Sequence, residues 1–322
     1  MNLEARKTRN TSPLAGMRAD RARGDTMTFV LALIGWGSYV LAAALAAIVV
    51  AMVIHNSNVS ASVADGIVSE YESWPAADKQ RLYETAAAYN DSLKGSHTGR
   101  IPADAKGSDG VAKETLDGAY MSAMNVDGNG GIARLRIPKI SVSVPVMHTT
   151  LDDVLDTAAG HMYGTALPIG RDGDFTAIGA HSGGVQGMLF TRLPQLNLGD
   201  SFYLDVLDGE HGYLVSDIRT VLPENIEQEL MDIREHVDPT KPRVTLVTCV
   251  PIGISSHRLL VTGVRGSIPE PVPPSYEQKD MTMIAIGVGI GIFVLLLALA
   301  VVVKLILRKK KTLERKDTTQ ER

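Results

Sequence analysis

Three residues spread along this chain have the types that nucleophilic catalysis needs. The single cysteine, Cys249, ends the run Thr245-Leu246-Val247-Thr248-Cys249. Strand periodicity puts Thr245, Val247 and Cys249 on one side and Val244, Leu246 and Thr248 on the other. Pro251 and Gly253 follow at once, so the strand stops and the thiol opens onto a rim, where catalytic groups commonly sit. His181 lies in Ile178-Gly179-Ala180-His181-Ser182-Gly183-Gly184, again at the end of a short apolar run. An imidazole there can be a general acid or base near neutral pH, or it can be a structural group. Arg258 opens His257-Arg258-Leu259-Leu260-Val261, nine positions beyond the cysteine. If the two runs are antiparallel neighbours, its guanidinium comes beside Cys249, where a cation can hold a carbonyl or a developing oxyanion and favour a thiolate. Its alternative reading is a surface salt bridge, and the thiol has three: buried small hydrophobe, intermolecular crosslink or reactive group.

The elements that must position these residues are mostly short strands. In the stretch opening at Gly131, Ala133, Leu135 and Ile137 alternate with Arg134 and Arg136, the period of a half-buried strand. Ser201 to Leu207 and His211 to Ile218 flank Asp208-Gly209, a strong hairpin signal. Arg243 to Cys249 and Arg258 to Val264 bring the count to at least five, and Ile226 to His236 reads as a short helix. No βαβ rhythm occurs, so the class is mainly β, a barrel or a sandwich. Upstream, Ser60 to about Leu93 reads as helical, with Ser73 as N-cap before Trp74-Pro75. Lys94 to Gly131 reads as a long loop. No Gly-rich phosphate loop and no metal-ligand spacing is present, so no cofactor and no metal are expected.

Two apolar runs bracket this part: Thr28 to Ile54, and Met281 to Val303, both without a charged residue. Each is long enough to cross a ~30 Å hydrocarbon core as a helix. Arg6, Lys7, Arg9, Arg18, Arg21 and Arg23 precede the first, and Lys304, Arg308, Lys309, Lys310, Lys311, Arg315 and Lys316 end or follow the second. The positive-inside rule then places both termini in the cytoplasm and the intervening segment on the outer face of the membrane. The formal charge of −4 conceals a strong asymmetry, since the segment between the runs carries about −12. Such a surface excludes a nucleic-acid partner, and the basic tails read as membrane-surface anchors. The expected organisation is a basic tail (1–27), a membrane helix (28–54), a helical segment with a long loop and a possible lid (55–130), a catalytic β domain (131–266), a Pro-rich stalk (267–280), a second membrane helix (281–303) and a basic tail (304–322).

Taken together, Cys249, His181 and Arg258 resemble the sortase family, the cysteine transpeptidases of Gram-positive surfaces. The resemblance rests on residues 245–249, on His181-Ser182-Gly183 and on residues 257–261. It extends to Arg136-Ile137-Pro138-Lys139-Ile140, Val144-Pro145-Val146-Met147-His148, Gly160-His161 with Gly164-Thr165, and Leu189-Phe190-Thr191 through Gly199-Asp200. It implies an eight-stranded β-barrel with short flanking helices, here set between two transmembrane helices. It implies that Cys249 is the nucleophile attacking the Thr–Gly bond of an LPxTG-type sorting signal and forming a thioester. His181 would be the general acid and base, and Arg258 the positioning and oxyanion group. The second membrane run resembles the class C, pilin-polymerising sortases, whose acceptor is a lysine amine of a pilin subunit. A sortase that uses an amine of a peptidoglycan precursor is the alternative within that chemistry. A catalytically inactive pilus-assembly or binding scaffold and a plain cysteine hydrolase are alternatives outside it. The Asp-Pro-aromatic anchor of class C lids has no match between Lys94 and Gly131, where only Ile101-Pro102-Ala103-Asp104 comes near. His148, His161 and His257 read as structural hydrogen-bonding groups.

Overall fold

A computed structural model describes residues 13–95, 113–183, 189–266, 287–302 and 304. The chain divides into two compact units: Met1–Val49 together with Ala285–Arg322, and Val50–Ile284. The expected stalk, the Ile101-Pro102-Ala103-Asp104 stretch, residues 1–12 of the first basic tail and nearly all of the second lie outside the described residues.

The described residues of the first unit are helical. Helix α1, Pro13–Glu72, runs through the first apolar stretch, where Leu33, Ile34, Leu41 and Leu45 are exposed. Among the described residues one helix is long and apolar enough to cross a membrane, the Leu33–Glu72 part of α1. The second expected span is described only as the shorter apolar helix α7, Gly287–Val302.

In the second unit α1 continues past the apolar run as a polar helix, burying Ile67, Val68 and Tyr71 in the core of the β domain. It ends at Glu72, and α2, Ala76–Gly95, begins after Pro75. The expected N-cap at Ser73 is not formed: the Ser73 hydroxyl donates to the Glu70 carbonyl at 2.7 Å, back into the preceding turn. Helix α2 is docked by a buried amide. Asn90 accepts from Leu167 N–H at 2.8 Å through Oδ1 and donates through Nδ2 to Leu167 O at 3.0 Å and Asp174 Oδ2 at 2.8 Å. Alongside it, Arg171 pairs with Asp91 through both terminal nitrogens.

The stretch Lys94 to Gly131 is not all loop. It carries two short helices, α3 (Lys113–Leu116) and α4 (Gly118–Ser122), the latter capped by Asp117, whose carboxylate accepts from Tyr120 N–H. Local periodicity misses α4 because its stability comes from one fully buried side chain, Tyr120. The Tyr120 hydroxyl lies 3.0 Å from His161 Nδ1 and accepts from Thr149 N–H at 3.0 Å. His161 Nε2 is 3.0 Å from the Ala166 carbonyl. Burial pushes His161 down to about 3 and lowers His148 as well. Both rings sit among backbone partners, His148 between the Gly130 and Ala123 carbonyls, so the structural expectation for these two histidines holds.

Eight strands close a barrel in the order β1-β2-β3-β4-β7-β8-β6-β5. They are β1 Gly131–Ile137, β2 Val142–His148, β3 Ala159–His161, β4 Phe175–Gly179, β5 Ser201–Val206, β6 Gly209–Val221, β7 Arg243–Val250 and β8 His257–Arg265. Between β2 and β3 lies the short helix α5, Asp152–Leu155. The hairpin at Asp208-Gly209 forms as expected, pairing Val206 with Gly209. On β1 the alternation is real but both faces are buried. Arg136 is 7% exposed, because Asp205 of β5 receives both Arg134 Nε (2.6 Å) and Arg136 Nε (2.8 Å). Helix α6, Ile226–His236, occupies the expected span and lays Ile226, Leu230 and Ile233 on Ala177, Val247 and Leu260 from β4, β7 and β8.

Candidate active site

Register assembles the site. Strands β7 and β8 are antiparallel with Cys249 directly opposite Arg258, and β8 and β6 with Arg258 opposite Val221. Directly opposed residues in an antiparallel pair project to the same face. Val247 and Leu260 lie on the outer face that α6 covers, so Cys249 and Arg258, two positions along from them, emerge on that same face just past the helix. On the other side β4 runs parallel to β7, pairing Gly179 with Val247. His181 follows β4 by two residues, and its chain neighbours tie it to the end of β7: Ala180 N–H donates to the Val247 carbonyl and Ser182 Oγ to the Cys249 carbonyl. Cys249 and Arg258 are paired across β7 and β8, and His181 lies just beyond the end of β4, although 68 residues separate it from Cys249 along the chain.

All three side chains are half-buried, as groups must be that are both fixed by the protein and open to a substrate. The Arg258 guanidinium donates through Nη1 to the Ser255 carbonyl at 3.0 Å and the His257 carbonyl at 3.2 Å. Those bonds tie it to the β7–β8 connection and leave its other nitrogens for a ligand. The connection turns on Ile254 and Ser255 N–H groups donating to the Pro251 carbonyl. It carries two exposed apolar side chains, Ile252 and Ile254, and Leu222 is exposed at the end of β6. A thiol, an imidazole and a guanidinium, with exposed apolar side chains on the neighbouring connection, are the groups that acyl transfer from a peptide carbonyl needs.

The turn that carries His181 is tied at several points. Thr248 Oγ1 donates to the Ala180 carbonyl at 2.8 Å, and Ser182 Oγ donates to the Cys249 carbonyl. Phe190 N–H donates to the His181 carbonyl at 3.1 Å, and Gly183 N–H to Thr191 Oγ1 at 2.8 Å. Gly183 has φ +80°, a conformation glycine adopts without strain, and a methyl there would lie 2.7 Å from Ile252 Cγ2. Ser182 and Thr191 were not among the candidates from sequence; the only signal for Ser182 was its place beside His181. His257, the first residue of β8, shares a hydrogen bond of 2.9 Å with Ser256 Oγ and is paired with Val250, one residue away from the Cys249–Arg258 pair. Among the described residues no group of three or more His, Cys, Asp or Glu side chains is arranged to hold a metal.

Comparison with known proteins agrees with this architecture. The family model described as Sortase domain matches residues 135–265, which begin in β1 and end with β8. The crystal structure of sortase C1 from Streptococcus agalactiae is 30% identical, with 65% of this chain and 100% of that one covered and a TM-score of 0.54. The structure titled Sortase C1 of GBS Pilus Island 1 is 27% identical over 67% of this chain and 96% of that one, TM-score 0.51. Two curated relatives are Sortase A of Bacillus anthracis, 28% identical over 147 residues, and Sortase A of Streptococcus agalactiae serotype III (strain NEM316), 28% over 142 residues. These matches take in 46% and 43% of this chain, and 65% and 53% of the relatives' own lengths. With a closed eight-stranded barrel, the family model seated on it and a sortase C1 matched over its whole length, the chain belongs to the sortase family.

Proposed function

We propose that the protein is a membrane-anchored cysteine transpeptidase that cleaves an LPxTG-type sorting signal between Thr and Gly and passes the acyl group to a lysine amine of a pilin subunit. The observation that carries this reading is the pairing of Cys249 with Arg258 across β7 and β8, with the hydroxyl of Ser182, the neighbour of His181, bonded to the Cys249 carbonyl.

In the first half-reaction the Cys249 thiolate attacks the threonine carbonyl carbon. The charge that gathers on the carbonyl oxygen is met by the Arg258 guanidinium. His181 gives a proton to the departing glycine amine as the C–N bond breaks, leaving a thioester on Cys249. In the second, the lysine ε-amine attacks the thioester and loses a proton to His181. The C–S bond breaks, an isopeptide bond forms, and the thiolate and the protonated imidazole are restored. The thioester keeps the acyl group activated, so no nucleotide is consumed.

Supporting the pilin acceptor are the sortase C1 neighbours, one of them titled for a pilus island. The long apolar part of α1 and the apolar helix α7 support an anchor on either side of the catalytic domain, with both termini cytoplasmic. A second reading keeps the thioester and uses an amine of a peptidoglycan precursor; the relatives named Sortase A, rather than Sortase C1, favour it.

The test is an anti-pilin immunoblot of cell-wall extracts from cells making the native protein or Cys249→Ala at equal membrane abundance. A high-mass, SDS-resistant ladder that requires Cys249 is expected. A ladder that survives the substitution overturns the polymerase assignment, and its absence from both strains favours the wall-precursor acceptor.

A further inference from the structure

Parallel strands β4 and β7 are joined by evenly spaced rungs, each from an N–H of one strand to a carbonyl of the other. The last backbone rung at this end is Ala180 N–H to the Val247 carbonyl at 3.1 Å. The next two in the series would run from Cys249 N–H to the Ala180 carbonyl, which Thr248 Oγ1 takes instead, and from Ser182 N–H to the Cys249 carbonyl. The chain has already left the sheet there: β4 ends at Gly179 and the positive φ of Gly183 turns it away. The Cys249 carbonyl is nonetheless reached from residue 182, by the Ser182 hydroxyl.

We propose that Ser182 is a positioning residue for the transpeptidase reaction, its hydroxyl replacing the missing backbone rung and so holding His181 in register with Cys249 where strand pairing has ended. The inference rests on the reading of Cys249 and His181 as the reacting pair. A continued ladder would keep residues 180–183 flat in the sheet. A free turn would let the imidazole drift from the thiol. A side-chain rung lets the backbone turn immediately after the histidine while the register persists. The remaining ties divide the work. Thr248 Oγ1 holds Ala180, on the strand side of His181, and the Phe190 and Gly183 N–H groups fasten the turn to residues 190 and 191. Of these bonds, only the Ser182 one reaches the backbone of the cysteine itself. Sub-ångström placement of a proton donor matters to the chemical step far more than to ground-state binding.

The test uses the full chain in detergent micelles, with an internally quenched Leu-Pro-Glu-Thr-Gly peptide as substrate. Ser182→Thr and Ser182→Val occupy nearly the same volume and differ in the hydroxyl; Ser182→Ala removes it with less bulk. Ala and Val are expected to lower kcat about tenfold with KM changed less than twofold, while Thr stays within about threefold of the native protein. A kcat within twofold of native in Ala and Val, or a Thr variant as slow as Val, overturns the inference. If Ala loses its cooperative melting transition, the Thr and Val pair decides. Cys249→Ala is run in parallel: cleavage that survives it overturns the thiol chemistry itself, a failure distinct from that of Ser182. If the native protein leaves this peptide intact, the rate of Cys249 alkylation by iodoacetamide decides. It is expected to fall at least threefold in Ala and Val and to be kept in Thr, and equal rates in all four proteins overturn the inference.

Discussion

The fully buried His161 makes the fold sensitive to acid in a way that can be calculated. Its ring is held neutral, Nε2 facing the Ala166 carbonyl at 3.0 Å and Nδ1 facing the Tyr120 hydroxyl at 3.0 Å, with its pKa at about 3 because burial penalises the cation. An unfolded histidine titrates near 6.5. Below that pH the unfolded chain takes up a proton that the folded one refuses, so stability is fully present above pH ~6.5 and is lost as pH falls toward 3. The slope is ~1.4 kcal/mol per pH unit for one group, giving a loss of about 2–3 kcal/mol between pH 6.5 and 4.5. Carboxylates titrate in the same window and His148 is shifted in the same direction, so the measurement has to be a difference. His161→Gln removes the titration and keeps a donor for Ala166. Urea unfolding of the full chain in micelles, followed by the fluorescence of Trp74, which packs against the barrel core, gives stability at pH 7 and 4.5 for both proteins. The native protein is expected to lose about 2–3 kcal/mol more than His161→Gln over that interval. Parallel losses, within about 0.5 kcal/mol, would refute the neutral-histidine account of this cluster.

Asn90→Ala strips three hydrogen bonds from the docking of α2 and leaves Leu167 N–H without its partner, so urea unfolding is expected to show a loss of about 2–4 kcal/mol. A loss below about 0.5 kcal/mol would mean that α2 is held by its apolar face alone. Gly160→Ala would drive a methyl into the Thr149 carbonyl oxygen at the β2–β3 pairing, a backbone atom that cannot rotate away. A melting temperature well below native, or no cooperative transition at all, is expected from circular dichroism. A native-like melt would show that the β2–β3 crossover yields to the extra carbon.

Much of the site was readable in the sequence because its components are local. The run between Cys249 and Arg258 is short enough to be one connection between antiparallel neighbours, which would set the two side by side, and the β7–β8 register pairs them directly. Helix α6 was readable from its own residues, as its apolar positions recur at helical spacing and cover one stripe. Helix α4 was not, because a five-residue helix has no period to detect and depends on where Tyr120 lands. The cap expected at Ser73 did not form because α2 starts only at Ala76, three residues on, and Ser73 closes the end of α1 instead, its hydroxyl donating to the Glu70 carbonyl.

The sequence by itself determined the candidate groups, the alternation of the strand that ends at Cys249 and the resemblance that joins them, since residue type and period 2 are properties of short segments. Which strand lies beside which was decided only by the tertiary structure. The parallel pairing of β4 with β7 brings the end of β4 to the end of β7, the hydroxyl of Ser182 bonds the Cys249 carbonyl, and the Tyr120 and His161 ring cluster joins α4 to the barrel. The physical reason is that pairing over such distances is fixed by closure of the whole barrel and burial of its core. No window of sequence carries that free energy, which arises only when all eight strands are in place.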